Sequence, residues 1–145
     1  MNERYIRQTM IPGIGEAGQE KLKNAKVLIV GIGGLGSPIS IYLTAAGVGQ
    51  IGLIDDDIVS KSNLQRQILY TEAEIGQSKV ECACRRLSAL NSSTRFETYP
   101  NRFTPDNANR LVSTYDIIVD GCDNAATRYL IDDVCSRFIY EDRKS

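Results

Sequence analysis

The sequence contains no histidine, which excludes catalysis by an imidazole acid or base. Its four cysteines, Cys82, Cys84, Cys122 and Cys135, form no C-x-x-C pair. Structural zinc is held by such pairs or by Cys/His mixtures, so no zinc is expected. The cysteines read as reduced thiols packed as small apolar side chains. Neither sign of charge dominates: 17 Lys and Arg stand against 18 Asp and Glu, a formal net charge of −1. That balance provides no field for a polyanion, and nucleic acid is not an expected partner. No apolar run approaches the ~20 residues that span a bilayer. The opening MNERYIRQ is charged and lacks the apolar core of a signal peptide. A membrane partner is therefore not expected, and a cytoplasmic location is. There is no G-x-x-x-x-G-K-[ST] loop, which argues against a P-loop ATPase. Internal repeats, low-complexity tracts and interdomain linkers are absent as well.

What is present is the material of one globular domain: 145 residues, 42% hydrophobic and 24% charged, enough to bury a core. Apolar strand patterns alternate with helical ones. A short polar helix at 2–9, a Pro12-Gly13 break and a helix at 16–24 come first. Strands follow at 26–30, 50–54, 95–99 and 116–119, the last ending at Asp120. Between them lie a helix at 36–46 stopped by Gly47, a helix behind Gly76, and a helix opened by Thr104-Pro105-Asp106. Ser78 and Glu81 stand at capping-box spacing, and Val80, Ala83, Cys84, Leu87 and Leu90 recur at helical spacing behind them. Asp123-Asn124 begins the last helix. This alternation predicts an α/β, Rossmann-like parallel sheet with helices on both faces and strand order 3-2-1-4. The expected division is an N-terminal helical segment, 1–25, and a nucleotide-binding domain, 26–145.

In that strand order three separate motifs meet at one crevice, beyond the C-terminal ends of the strands. The run VLIVGIGGLGSP at 27–38 is a buried strand entering a glycine turn and then a helix. Gly31, Gly33 and Gly36 fit G-x-G-x-x-G, with Gly34 as a fourth glycine. Such a turn brings backbone N–H groups and a helix N-terminus to a phosphate. Asp55 ends the second strand and is placed to accept hydrogen bonds from ribose hydroxyls; Asp56 and Asp57 read as loop solvation. On these features alone a nicotinamide-dependent dehydrogenase fits. Other residues suit it less. Ser62-Asn63-Leu64-Gln65-Arg66-Gln67 is densely polar, Lys79 opens a helix, and Arg4 and Arg7 flank Tyr5-Ile6. Singly, each cation is equally a solvated surface charge. As a set, Arg66 and Lys79 supply fixed charge to a triphosphate, and Asp123 offers a carboxylate to the accompanying Mg²⁺.

RYIRQ at 4–8, GIGGLGSP at 31–38, SNLQRQ at 62–67, GQSK at 76–79 and DGCDNAATR at 120–128 occur in that order. Together they resemble the MoeB/ThiF family, bacterial relatives of the ubiquitin-activating enzymes, over residues 4–135. The resemblance implies an adenylyltransferase that binds ATP and Mg²⁺. Its partner would be a ubiquitin-like sulfur-carrier protein of the ThiS or MoaD type, in thiamine or molybdopterin synthesis, whose C-terminal glycine it activates. It implies nucleotide contact at Gly34 and its neighbours, ribose contact at Asp55, phosphate contact at Asn63, Arg66 and Lys79, and magnesium at Asp123. It further implies a homodimer in which Arg7 reaches the partner subunit's site.

The chemistry of the residues agrees with that implication. A terminal carboxylate, with a pKa of roughly 3.5, is already ionised at neutral pH and needs no general base. This suits a chain without histidine. The demands on the site are alignment with the α-phosphate and neutralisation of pyrophosphate, tasks for Arg7, Arg66, Lys79 and Mg²⁺. Past Cys135 the family pattern runs into further strands, whereas this sequence reads SRFIYEDRKS. The expectation is thus the N-terminal portion of an adenylation domain, lacking much of the carrier-binding surface. Ile117, Ile118 and Val119 would then lie on a sheet edge. The alternatives are a nicotinamide-dependent oxidoreductase domain and a non-catalytic fragment that binds ATP or dimerises.

Overall fold

The computed structural model describes the backbone of residues 3–144 and the side chains of residues 3–137. Residues 1, 2 and 145, included in the sequence reading, lie outside the described residues. After a 3-10 turn at Glu3–Tyr5 come helices α1 (Ile6–Thr9) and α2 (Gly15–Asn24), then strand β1 (Lys26–Val30) and helix α3 (Gly36–Ala46). Strand β2 (Gln50–Ile54), helix α4 (Lys79–Leu90), strand β3 (Arg95–Tyr99) and helix α5 (Pro105–Thr114) follow. Strand β4 (Ile117–Asp120) and helix α6 (Ala125–Lys144) complete the order. The four strands are parallel and ordered β3-β2-β1-β4, as the sequence predicts.

The sheet is buried on both sides, which explains why β1 is apolar at nearly every position. Val27 and Ile29 join Ile51 and Leu53 in one core, against Val80, Ala83 and Leu87 of α4 and the partly buried Ile39 of α3. Leu28, Val30 and Ile54 point the other way, into a second core with Ala108, Leu111 and Val112 of α5 and Ile131 and Val134 of α6. Alternate residues of one strand thus serve opposite helical layers, the consequence of a side-chain period of two. The register aligns Val30 with Ile54 on one side and Asp120 on the other, so the strands end level.

Two local readings are corrected. β4 starts one residue later than expected, because Asp116 is occupied in tying two strand starts together. Its backbone N–H donates to the Lys26 carbonyl at 2.8 Å, and its Oδ2 accepts from the Lys26 N–H at 3.0 Å. The Ser78/Glu81 capping box does not form. Ser78 pairs in an antiparallel bridge with Ile58, and its buried Oγ has no hydrogen-bond partner. The capping boxes lie instead at Thr71/Glu74 and Thr104/Asn107.

The N-terminal helices pack where the strands begin. The Gln8 and Gln19 side-chain amides both donate to the Ala46 carbonyl at 3.0 Å, and the Asn91 amide donates to the Tyr5 hydroxyl at 2.7 Å. On the edge strand β4, Ile117 is 53% exposed, while Ile118 and Val119 are half-buried against the two cores. Among the described residues no helix is long and apolar enough to cross a membrane.

Candidate functional site

A cleft of about 820 Å³ opens where the strands end, walled by the glycine turn and by the segments following β2, β3 and β4. At and beneath its floor three glycines are in backbone contact. Gly31 has φ of +90°, and a Cβ there would stand 2.9 Å from the Cys122 nitrogen. A Cβ on Gly36 would overlap the Gly31 carbonyl oxygen, and one on Gly121 would stand 2.6 Å from it. Gly36, expected at the phosphate, is therefore buried packing that lets α3 close onto β1, and it does not line the cleft. Gly33 and Gly34 do line it, with Gln67 and Arg66 as the nearest side chains.

The turn is pinned at Ile32. Its N–H donates to Asp55 Oδ2 at 2.8 Å, and its carbonyl accepts from the Tyr70 hydroxyl at 2.6 Å. Asp55 Oδ1 accepts from the Asp57 N–H at 2.8 Å. Burial, with the Asp55 charge adding to it, pushes the Tyr70 hydroxyl far above the usual phenol range, so it stays protonated and donates. Tyr70 thereby ties the polar segment of Asn63, Arg66 and Gln67 to the glycine turn.

Charges are disposed around this floor by their neighbours. Lys79, the first residue of α4, has a side chain only 4% exposed, with Nζ 3.5 Å from Oδ2 of the open Asp57. Asn63 Oδ1 accepts from the Ser60 hydroxyl at 2.6 Å, and the exposed Arg66 donates to the Ser62 carbonyl at 3.2 Å. Arg102 pairs with Asp56 at 3.7 Å. On the opposite lip Asp120 is consumed internally: Oδ1 accepts from the Cys122 N–H at 3.1 Å and its S–H at 2.7 Å, and Oδ2 accepts from Arg128 Nε at 3.1 Å. Burial and the Asp120 hydrogen bond push the Cys122 thiol up, so it is a donor here and not a thiolate. Asp123, three residues on, lines the cleft, is exposed, and has no hydrogen-bond or ion-pair partner among the described residues.

Of the residues singled out from the sequence, Gly31, Gly33, Gly34, Asp55, Asn63, Arg66, Lys79 and Asp123 all line this one cleft. Arg7 does not; it is exposed on α1, in the segment that packs near the start of the strands. Gln67, Arg102, Phe103, Cys122 and Thr127 line the cleft without having been singled out as site residues. Arg102 and Phe103 had a topological signal, since they follow β3 at the same end of the sheet where Asp55 follows β2. Gln67 had none beyond its polar neighbours. It is 3% exposed, and its Oε1 has no partner. The assembled cleft offers cations and turn N–H groups to a polyanion, a carboxylate on one lip, and no imidazole.

The ThiF family model matches residues 5–139. The chain is 50% identical over 131 residues to the sulfur carrier protein adenylyltransferase of Thermus thermophilus, covering 90% of this chain and 48% of that protein. It is 49% identical over 130 residues to the probable adenylyltransferase/sulfurtransferase MoeZ of Mycobacterium tuberculosis, covering 90% of this chain and 33% of that protein. Among solved structures, the E. coli tRNA N6-threonylcarbamoyladenosine dehydratase TcdA in complex with ATP matches with a TM-score of 0.82 at 31% identity, over 85% of this chain and 51% of that chain. The chain spans less than half the length of these two curated relatives.

Proposed function

The chain belongs to the ThiF family, and on that premise we propose that its cleft binds ATP and adenylates the C-terminal carboxylate of a ubiquitin-like sulfur-carrier protein. The observation that carries this reading is the convergence of Lys79, Arg66 and the glycine turn on one side of the cleft with the exposed Asp123 on the other. A hydride-transfer site has little use for that density of cations; a site that expels pyrophosphate requires it. The adenylyltransferase names of the Thermus and Mycobacterium relatives point the same way.

In this reaction a carrier carboxylate oxygen forms a bond to the α-phosphorus. The bond from that phosphorus to the bridging oxygen of the β-phosphate breaks, and its electron pair leaves with pyrophosphate. No proton moves, because the attacking carboxylate is ionised. The glycine turn holds phosphate through backbone N–H groups, Asp55 receives the ribose hydroxyls, and Asn63, Arg66 and Lys79 steady the phosphates. Magnesium fits the donors present: Asp123 offers a hard carboxylate oxygen, and such cations commonly take one or two carboxylates together with phosphate oxygens. Bound there, it would neutralise charge accumulating on pyrophosphate.

The carrier is of the ThiS or MoaD type, and the working unit is a homodimer in which Arg7 serves the partner subunit's cleft. The test is ATP–pyrophosphate exchange with each carrier added separately. The reading expects exchange that requires a carrier, with the preferred carrier separating the thiamine from the molybdopterin branch. Asp123→Ala should abolish Mg²⁺-dependent exchange while leaving the thermal unfolding transition in place. If NADH, and not ATP, raised the melting temperature, the nicotinamide reading would replace this one. ATP binding without exchange by any carrier would leave the non-catalytic one.

A further inference from the structure

Asp120, the last residue of β4, and Asp123, in the loop to α6, lie three residues apart, yet their surroundings separate them completely. Asp120 has a side chain 27% exposed, and both its oxygens are engaged. Asp123 is open to the cleft and has no partner among the described residues. What separates them is Arg128, one turn into α6. Its Nε donates to Asp120 Oδ2 at 3.1 Å, and its Nη2 donates to the Cys122 carbonyl at 3.0 Å. One planar guanidinium therefore closes the loop from both ends: it neutralises the carboxylate where β4 stops and holds the peptide immediately before Asp123. The Asn124 side chain, accepting from the Thr127 N–H at 3.2 Å, fixes the residue just after it. Asp123 is thus held between two anchored neighbours.

We infer that Arg128 is a positioning residue for Asp123. By occupying Asp120 and the Cys122 carbonyl, it leaves Asp123 as the free carboxylate of this lip among the described residues, held in a fixed place for a divalent cation bound with the nucleotide. The inference rests on the proposed reading of the cleft as a Mg·ATP site. Two physical points support it. A guanidinium presents donors in a rigid planar fork, so it holds two acceptors in one fixed geometry, which a point-charge ammonium on a flexible stem does not impose. Without that charge, Asp120 Oδ2 would lose its partner and compete for the same cation, and the peptide before Asp123 would lose its anchor. Arg128 is too solvated for a large contribution to global stability, its side chain being 60% exposed. Its effect belongs to the loop.

The experiment measures ATP affinity by titration calorimetry in EDTA and in Mg²⁺, and compares the gain due to the metal in the parent, Arg128→Ala and Arg128→Lys. Bound Mn²⁺, counted by its electron paramagnetic resonance signal in the presence of ATP, is the second readout. Groups that orient a metal ligand are worth about 10–100-fold in metal affinity. The metal-dependent gain should therefore fall by about tenfold or more in Arg128→Ala and recover in part in Arg128→Lys, with Mn²⁺ occupancy following. A gain in Arg128→Ala equal to the parent's overturns the inference, as does an equal loss of affinity in EDTA and in Mg²⁺, the mark of a merely structural role. If Arg128→Ala does not fold, Arg128→Lys alone decides: a metal-dependent gain equal to the parent's then overturns the inference. A parent with no metal-dependent gain overturns the Mg·ATP reading of the cleft, and this inference with it.

Discussion

Asp55 Oδ2 accepts a hydrogen bond from the Ile32 N–H at 2.8 Å, so the acid at the end of β2 shapes the glycine turn before any nucleotide is considered. If Asp55 receives the ribose as proposed, one carboxylate would couple recognition of the sugar to the shape of the phosphate-binding turn. Tyr70 completes the arrangement from the other side of the same residue, through the Ile32 carbonyl.

Tyr70→Phe should therefore act on both stability and binding. Losing the hydroxyl leaves the buried Ile32 carbonyl, among the described residues, with only the Ser37 hydroxyl, at 3.4 Å. An under-satisfied buried carbonyl costs about 1–3 kcal/mol. Chemical denaturation should show a loss of that size, and ATP should bind more weakly because the turn is less well held. Unchanged stability would show that the Tyr70 contact contributes nothing to the turn.

Gly34 and Gly36 separate two roles that one motif conflates. A Cβ at Gly34 meets nothing nearer than Arg66 Nε at 3.8 Å, whereas one at Gly36 would overlap the Gly31 carbonyl oxygen. Gly34→Ala should fold with stability within about 1 kcal/mol of the parent, the modest range of backbone effects at a compatible glycine, and lose ATP affinity because the methyl group points at the cleft. Gly36→Ala should fail to give a cooperative unfolding transition. A folded Gly36→Ala protein would mean that α3 can back away from β1, which the three-glycine contact denies.

β1 and β2 were readable because each is short, apolar and followed by a glycine or an acid, whereas the polar edge strand β3, Arg-Phe-Glu-Thr-Tyr, is recognised by its alternation and its place between two helices. β1 and β2 carry a buried-strand signature that does not depend on their neighbours, and helices alternating with parallel strands admit few topologies. Ser78 shows where such reading stops. Its spacing to Glu81 is that of a capping box, but the bridge to Ile58 pulls it into an extended conformation, and no local pattern encodes that long-range pairing. The cleft shows the same division. Asp55 and Asp123 follow strand ends and were visible. The Asp120–Arg128 pair, and the packing role of Gly36, depend on side-chain geometry that a motif does not specify.

Lys79 and Asp57 make opposite predictions. Lys79 is buried and its partner is 71% exposed, so the ion pair is solvated on one side and worth at most about 1 kcal/mol. Lys79→Met keeps the apolar stem in place and removes the charge. It should fold normally and bind ATP at least about tenfold more weakly, a single lost charge-assisted contact being worth about 1.5–3 kcal/mol. Asp57→Asn releases Lys79 from its only ion pair among the described residues and should leave ATP affinity equal or higher. If calorimetry showed both variants equally impaired, the pair and not the lysine would be what the nucleotide reads.

The outer face of α3 bears on how many chains form the working unit. The helix carries no charged residue, and Leu35 and Tyr42, two turns apart on one side, are 57% and 74% exposed. Ile68, at 69%, follows the polar segment that lines the cleft. Leu35 itself lines the cleft, so a second copy seated on this face would meet the cleft rim. Arg7, which its own chain leaves away from the cleft, then has a route to a site through the partner copy. Leu35→Glu and Tyr42→Glu place charge where a dimer would bury it, and light scattering should report monomers for both. Complementation gives an independent check. Arg7→Ala and Lys79→Ala proteins, each deficient alone, should regain carrier-dependent exchange when mixed, because a mixed dimer holds one cleft with an intact lysine facing an intact Arg7. Mixing after introducing Tyr42→Glu into both should restore nothing. A parent mass unchanged by either glutamate would remove α3 as the dimer face, and failure of the first mixture would place Arg7 outside the partner's cleft.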